Sequence, residues 1–170
     1  MRLVLQTLNK MVESRVIENY AIAGAVAVII YAEPVSTKDL DVLVPLLETP
    51  AGLATLTPIH DYLKKQGHIM SGQHFIIGGV PVDFMDAHDP LNRDALESAV
   101  EMTAWEERTR VVRPEHLIAM ALVAGRHKDY AKIETLWETA KINKVYLTRL
   151  LKRHGLVKKL NTVMKRIYEI

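Results

Sequence analysis

The sequence of 170 residues contains no cysteine. This absence excludes disulfide bonds, thiolate zinc sites and cysteine nucleophiles, and it fits a reducing compartment, with the cytoplasm as the expected location. The 7 histidines show no spacing typical of a zinc site. We therefore interpret them as scattered surface residues.

The sequence also has no long apolar run. Its longest one, residues 21–32, is shorter than the roughly 20 residues that a membrane-spanning helix needs. The first residues, MRLVLQTLNKMVESRV, are interrupted by polar side chains too often for a signal peptide. We therefore expect no membrane partner.

Charge of one sign does not dominate, because 22 basic and 20 acidic residues leave a net charge of only +2. Nothing global therefore indicates nucleic acid. The segment Lys141–Arg166 is nevertheless plainly basic. Such a segment is most often a solvated face, and a nucleic-acid-binding surface is the alternative.

The apolar share of 49% and the charged share of 25% are typical of a folded globular chain. This length suits one core, or one domain with a small appendage. Hydrophobic periodicity and breakers predict helices and strands in alternation up to about residue 113, then helices only. The predicted helices cover residues 3–17, 25–32, 57–66, 93–102, 116–124, 130–140, 145–154 and 157–168, and the strands cover residues 20–23, 40–44, 74–77, 80–85 and 109–112. The fold class is therefore α/β (α+β), with residues 1–113 as an α/β domain and 114–170 as a helical part behind a soft boundary.

The first chemical signal is a pair of carboxylates in Asp39-Leu40-Asp41-Val42. Alternation at the strand period puts Asp39 and Asp41 on one face, with their Cα atoms about 7 Å apart. Asp83 stands between apolar neighbours in a second predicted strand. Three carboxylates of this kind are suited to one or two magnesium ions.

The second signal is Gly24, which stands between a predicted strand and a predicted helix. A glycine there lets phosphate oxygens approach free amides at the positive end of the helix dipole. Taken singly, an acid pair on a strand is commonly a solvated face, and a glycine after a strand is commonly just a turn. Their combination in one short unit indicates a site for metal and phosphate.

These motifs resemble the nucleotidyltransferase superfamily, whose fold is similar to the palm of DNA polymerase β. The similarity is closest to minimal prokaryotic members of the type found among abortive-infection toxins. It extends over about the first 140 residues. The segments that carry it are Gly24-Ala25, Ser36-Thr37-Lys38-Asp39-Leu40-Asp41, Val82-Asp83-Phe84 and Ala124-Gly125-Arg126-His127-Lys128-Asp129-Tyr130.

The resemblance implies a mixed sheet flanked by helices and transfer of a nucleoside monophosphate from a nucleoside triphosphate to a hydroxyl. RNA, protein and small molecules are all open as acceptors, and a cognate partner protein in a toxin–antitoxin or defence setting is implied as well. Magnesium is the implied cofactor, held by Asp39, Asp41 and Asp83, which are also the implied catalytic residues. The implied nucleotide-binding residues are Gly24, Ala25, Ser36, Thr37, Lys38, Arg126 and Lys128.

The sequence departs from the pattern of these relatives in several places. Ala25 brings no hydroxyl to the phosphates, and Val35 stands where relatives often carry arginine. Met120-Ala121 replaces a usual lysine, and Lys132 replaces a usual aspartate. These changes weaken the expected triphosphate site and keep an alternative open, a degenerate module that binds nucleotide or a partner protein without catalysis.

Overall fold

The structure, a computed structural model, describes residues 1–32 and 37–168. Within these ranges the helices are α1 (Arg2–Glu13), α2 (Gly24–Tyr31), α3 (Thr57–Lys65), α4 (Pro90–Glu97), α5 (Pro114–Ala124), α6 (His127–Thr139), α7 (Lys144–Arg153) and α8 (Val157–Tyr168). The strands are β1 (Ala21–Ile22), β2 (Leu40–Val44), β3 (Leu47–Glu48), β4 (Ala54–Thr55), β5 (Ile69–Ser71), β6 (His74–Ile77), β7 (Val80–Asp86), β8 (Val100–Ala104) and β9 (Glu107–Val111).

Seven of these strands form one mixed sheet in the order β5-β6-β7-β2-β1-β9-β8. The central pair, β2 and β7, is parallel, whereas β6 runs antiparallel to β7 and β1 runs antiparallel to β2. Strands β3 and β4 form a separate short hairpin. The mixed sheet with flanking helices confirms the predicted fold class.

The core lies around the central strands. Leu40, Val42, Leu43 and Val44 of β2 are fully buried, as is expected of a strand with neighbours on both sides. Helix α2 packs against β2, α5 and α6, and its small residues allow that close approach. Asp41 is thus a carboxylate in a strand that is otherwise apolar.

The C-terminal helices belong to the same hydrophobic cluster as the sheet. Helix α5 begins at Pro114, where proline is favoured as the first helical residue, and it ends at Gly125 with φ 63°. It packs on α2, α4, α6 and α7. The division near residue 114 stays a prediction. In the described part of the chain, no helix has the length and apolarity that would let it cross a bilayer.

One predicted helix is wrong. Residues 93–102 do not form a single helix, because α4 begins at Pro90 and β8 begins at Val100. The Asp89 side chain accepts hydrogen bonds from the amides of Leu91 and Asn92 and so caps α4 earlier than predicted. Strands β3, β4 and β5 were not predicted either. Trp105 lies in the β8–β9 turn and is 39% exposed.

Candidate active site

One row of side chains crosses three neighbouring strands of the sheet. Asp41 on β2 stands beside Asp83 on β7 in the parallel register. Strands β6 and β7 pair antiparallel, with Phe75 opposite Val82. The next pair in the same register is His74 and Asp83. His74 Nδ1 lies 2.8 Å from Asp83 Oδ1. Strand pairing therefore aligns an imidazole and two carboxylates.

Asp39 joins this row from the turn that enters β2. The Thr37 hydroxyl lies 2.9 Å from the Asp39 carbonyl oxygen, to which it donates, and 3.2 Å from Asp39 Oδ1. Asp39, His74 and Asp83 each offer one ligand atom, and these three atoms lie within 4.8 Å of one another. They converge closely enough to hold a cation after small side-chain movements.

The Asp41 carboxylate lies against Gly24. A Cβ atom added to Gly24 would stand 1.7 Å from Asp41 Oδ2, and Gly24 has φ +58°. Both facts require glycine at this position. The Ala23 amide also donates to the Asp41 carbonyl oxygen over 2.9 Å. The structure thus gives Gly24 a role that sequence reasoning did not foresee, which is to leave room for a carboxylate.

The acidic cluster is electrostatically unfavourable on its own. Burial raises the pKa of Asp41, the nearby Asp39 and Asp83 carboxylates raise it further, and Lys132 and Lys128 oppose them. A cation between the carboxylates would relieve this repulsion. Clustered carboxylate oxygens are also the ligands that hard divalent cations prefer. The residues present therefore fit a divalent cation.

A cleft of about 480 Å³ opens beside these acids, which is a size common for sites that bind small ligands. Strand β2 and the turn before it supply its acidic wall, and the start of α6 supplies its basic wall. The lining residues are Ala25, Thr37, Lys38, Asp39, Asp41, Arg126, Lys128, Ala131 and Lys132. The cleft thus gathers seven of the predicted site residues. Asp83 and Gly24 do not line the cleft, but each stands beside Asp41, which does. Ser36 lies outside the described residues.

The basic wall is organised around the buried carboxylate of Asp129. Arg126 donates to Asp129 Oδ2 through Nε at 2.7 Å, and Lys132 Nζ lies 3.3 Å from Asp129 Oδ1. Burial alone would raise the pKa of Asp129, but these two cations more than offset it, so the pKa is lowered. Asp129 therefore holds the start of α6 and its cations in place.

Sequence reasoning missed two residues of this site. His74 is among the histidines that we interpret as surface residues. The predicted strands 74–77 and 80–85 are joined by Gly78-Gly79, however, and a tight hairpin turn there already places His74 opposite Asp83. Lys132 was counted as a loss, although it lies one helical turn after Lys128 on the same face of α6 and lines the cleft. The hairpin register could have identified His74, and the four-residue spacing from Lys128 could have identified Lys132.

Comparisons with known proteins bear on the fold. No protein-family model matches the sequence, and no curated protein matches it. The structure is similar to an antigenic nucleotidyltransferase-like protein from Paracoccidioides brasiliensis, with a TM-score of 0.55 and 15% identity over 93% of this chain and 90% of the other. It is also similar to the antibiotic-resistance factor ANT(2'')-Ia, with a TM-score of 0.53 and 12% identity over 99% and 98% of the two chains. This chain has the nucleotidyltransferase fold.

Proposed function

We propose that this protein is a nucleotidyltransferase, which moves a nucleoside monophosphate from a nucleoside triphosphate to a hydroxyl with the help of a divalent cation. The observation that carries the proposal is the cleft with an acidic wall, Asp39 and Asp41, facing a basic wall, Lys128 and Lys132. A metal–triphosphate complex needs both kinds of wall. Magnesium as the cation, a cognate partner protein and a toxin–antitoxin or defence setting come to the proposal from the family resemblance.

Each wall has its own task in this proposal. Asp39, Asp41 and Asp83 would hold the cation. Lys128 and Lys132 stand four residues apart on one face of α6 and would bind triphosphate oxygens. Further members of the proposed nucleotide site are Gly24, Ala25, Ser36, Thr37, Lys38 and Arg126.

The reaction is a displacement at phosphorus. The oxygen of the acceptor hydroxyl forms a bond to the α-phosphorus, the bond from that phosphorus to the bridging oxygen breaks, and pyrophosphate leaves with the electron pair. Asp83 takes the hydroxyl proton, while the lysines neutralise charge that builds up on the leaving group. A bound divalent cation supplies further charge neutralisation and activates the hydroxyl.

The two departures on α5 and α6 support catalysis when they are considered together. Met120-Ala121 stands where the resembling toxin-like proteins usually carry lysine, and Lys132 stands where they carry aspartate. These residues line the same small pocket beside Asp41. A cation lost from α5 is thus replaced by one on the neighbouring helix. The Lys132 side chain is only 18% exposed, so its charge is screened little by solvent. The pocket keeps a lysine, supplied by a different helix.

The distribution of charge favours RNA among the open acceptors. Residues 141–170 hold nine of the 22 basic residues and one of the 20 acidic ones. Lys159 of α8 lies 3.4 Å from the Val123 carbonyl oxygen, three residues before Arg126 of the cleft lining. The basic helix α8 therefore contacts the end of α5, from which the chain runs into the cleft. If RNA is the acceptor, its binding should weaken steeply as salt is raised.

The first test measures ligand binding by thermal unfolding. A nucleoside triphosphate with a divalent cation should raise Tm by mass action. The double variant Asp39→Asn with Asp41→Asn should abolish the shift, and Lys132→Met should weaken apparent affinity about tenfold, which corresponds to ~1.4 kcal/mol. Lys64→Met, on the exposed C-terminal turn of α3, is the matched control and should behave like wild type.

The second test measures turnover, because binding alone also fits the alternative of a module without catalysis. Incubation of triphosphates labelled at the α-phosphorus with cell extract should transfer label to RNA, protein or a small molecule. Binding without transfer in any fraction would support the module. Tm shifts that are the same in wild type and in the double aspartate variant would show that the site is assigned wrongly.

A further inference from the structure

We propose that the cation site of this cleft includes the imidazole of His74 and therefore takes a first-row transition ion, with Mn²⁺ as its probe, in preference to Mg²⁺. The inference rests on the proposed function, since it refines the metal site of the same cleft. It begins from the ligand set that the sheet assembles, Asp39, His74 and Asp83.

The sheet fixes the imidazole in the row of acids. His74 lies opposite Asp83 across the β6–β7 pair, and Asp83 stands beside Asp41 across the β7–β2 pair. Because residues in register project to the same face of a sheet, the three side chains share one side. His74 is thus positioned by backbone pairing, which a surface histidine on a loop would lack.

The distances suit ligands of one ion. Two ligands at right angles, each about 2.1 Å from the metal, lie roughly 3 Å apart. The separation of 2.8 Å between His74 Nδ1 and Asp83 Oδ1 is close to that value. All separations within the group of three are below 4.8 Å, and two opposite ligands of such an ion would stand roughly 4.2 Å apart. Small side-chain rotations would bring the three atoms to such distances, and the side chains of His74 and Asp83 are 30% and 27% exposed.

The choice of metal follows from the nitrogen ligand. Mg²⁺ prefers oxygen ligands in strict octahedral geometry and gives up its water reluctantly. Imidazole suits first-row transition ions, and a mixed set of carboxylates and one imidazole therefore shifts selectivity toward them. The rival interpretation is that His74 only orients Asp83 by a hydrogen bond, in which case its nitrogen never reaches the metal.

Pulsed electron paramagnetic resonance on the Mn²⁺-loaded protein separates these interpretations directly. We expect modulation from a directly coupled ¹⁴N nucleus in wild type, and its loss in His74→Gln. His60→Gln is the matched control, because His60 is also an imidazole beside an aspartate, Asp61, and its ring lies on α3 next to Phe75 of the hairpin. This control should keep the nitrogen signal.

Calorimetric titration with each metal salt gives the second readout. His74→Gln should weaken Mn²⁺ binding by about tenfold or more, because removal of a direct ligand should cost at least as much as removal of an outer-shell partner. Mg²⁺ binding should change less than about threefold, since Mg²⁺ prefers oxygen ligands. Circular dichroism checks that the variant is folded. If the variant is not folded, wild type labelled with ¹⁵N at histidine replaces it in the resonance experiment. Loss of the ¹⁴N modulation is then the expected result, and unchanged ¹⁴N coupling would overturn the proposal.

The remaining outcomes distinguish this inference from the proposed function. Wild type that binds Mn²⁺ without nitrogen coupling, or binds Mn²⁺ and Mg²⁺ equally, would overturn the role of His74 and leave the nucleotidyltransferase proposal standing. Wild type that binds neither ion, with or without nucleotide, would overturn both.

Discussion

Two pairs of histidine and aspartate in this protein have the same chemistry and opposite surroundings. His74 and Asp83 lie at the cleft, 2.8 Å apart, with side chains 30% and 27% exposed. His116 and Asp94 lie where α4, α5 and α7 meet; the His116 side chain is fully buried, and its Nε2 is 3.8 Å from Asp94 Oδ2. The first pair is open to a ligand, whereas the second is enclosed by the protein.

The difference shows how neighbours decide what a titratable pair does. Among the described residues neither ring nitrogen of His116 has a hydrogen-bond partner, while Asp94 accepts from Arg153 at 2.8 Å and lies 3.3 Å from His154 Nε2. Burial lowers the pKa of His116 to about 4, although Asp94 opposes this shift. We therefore expect the enclosed pair to govern stability and the open pair to govern binding.

The largest expected effect is a loss of stability in mild acid through His116. Its pKa is about 4 in the folded protein and about 6.5 in the unfolded chain. Between these values only the unfolded chain takes up the proton, so stability is complete above pH 6.5 and falls as the pH approaches 4. The loss should be on the order of 3 kcal/mol. Urea unfolding at pH 7 and pH 4.5 measures it.

His116→Leu is the variant that isolates this effect. It removes the titrating group while keeping an apolar side chain beside Tyr146, so its stability should change much less between the two pH values. The charged and titratable groups that also face His116 are Asp94, Arg113 and His154, and they are unchanged in the variant. Equal losses in wild type and variant would assign the acid sensitivity to groups other than His116.

The next effect concerns Gly24, the first residue of α2, which lies against the Asp41 carboxylate. In Gly24→Ala the new Cβ would collide with the Asp41 carboxylate, and the positive φ adds a cost of about 1–2 kcal/mol. We expect a total destabilisation of about 2–3 kcal/mol, measured by urea unfolding, together with loss of divalent-ion binding, because Asp41 must move.

Gly79→Ala is the matched control for this prediction. Gly79 has φ +79°, and a Cβ there would meet nothing within 4 Å. It should show the backbone cost alone and keep ion binding. If the two variants lose equal stability and both bind ions, the contact between Gly24 and Asp41 does not organise the site.

Much of this site could be predicted from the sequence, and the reasons are local. The Gly78-Gly79 turn fixes the β6–β7 register, and the alternation around Asp41 identifies its strand. The pairing of β2 with β7 joins residues some forty positions apart, and no local pattern specifies it. Asp83 could be singled out by its place between apolar neighbours in a predicted strand, but its pairing with Asp41 could not be derived from a local pattern. His74 was missed although its register was available.

The wrong helix at residues 93–102 has a different cause. Strand β8 pairs with β9 through a turn in which Trp105 and Glu106 have φ values of 47° and 65°. Neither residue is typical of such a turn, since glycine, asparagine and aspartate dominate there. The pairing of β8 with β9 therefore outweighed the local sequence pattern that had predicted a helix over residues 93–102. At the start of α2, by contrast, Gly24 stands where positive φ is needed, and the predicted strand and helix on either side of it are present.

The smallest expected effect is the change in the free energy of unfolding when one aspartate from each region is replaced by asparagine. The sign of this change should differ between the two regions. Burial alone would raise the pKa of Asp94, but the hydrogen bond from His154 and the charge and hydrogen bond of Arg153 outweigh it, so the pKa is lowered. Asp94→Asn should therefore destabilise the metal-free protein at pH 7 by about 1–2 kcal/mol. Asp41 has a raised pKa because burial and the neighbouring carboxylates disfavour its charge.

Asp41→Asn should accordingly stabilise the metal-free protein, by about 0.5–1 kcal/mol, while it abolishes divalent-ion binding. Urea unfolding in the presence of a chelator measures both variants, and calorimetric titration with Mn²⁺ measures binding. A gain of stability on removal of the charge is the signature of a carboxylate kept for a ligand at a cost to folding. A loss of stability in both variants would mean that Asp41, like Asp94, is held by the protein itself and does not await a cation.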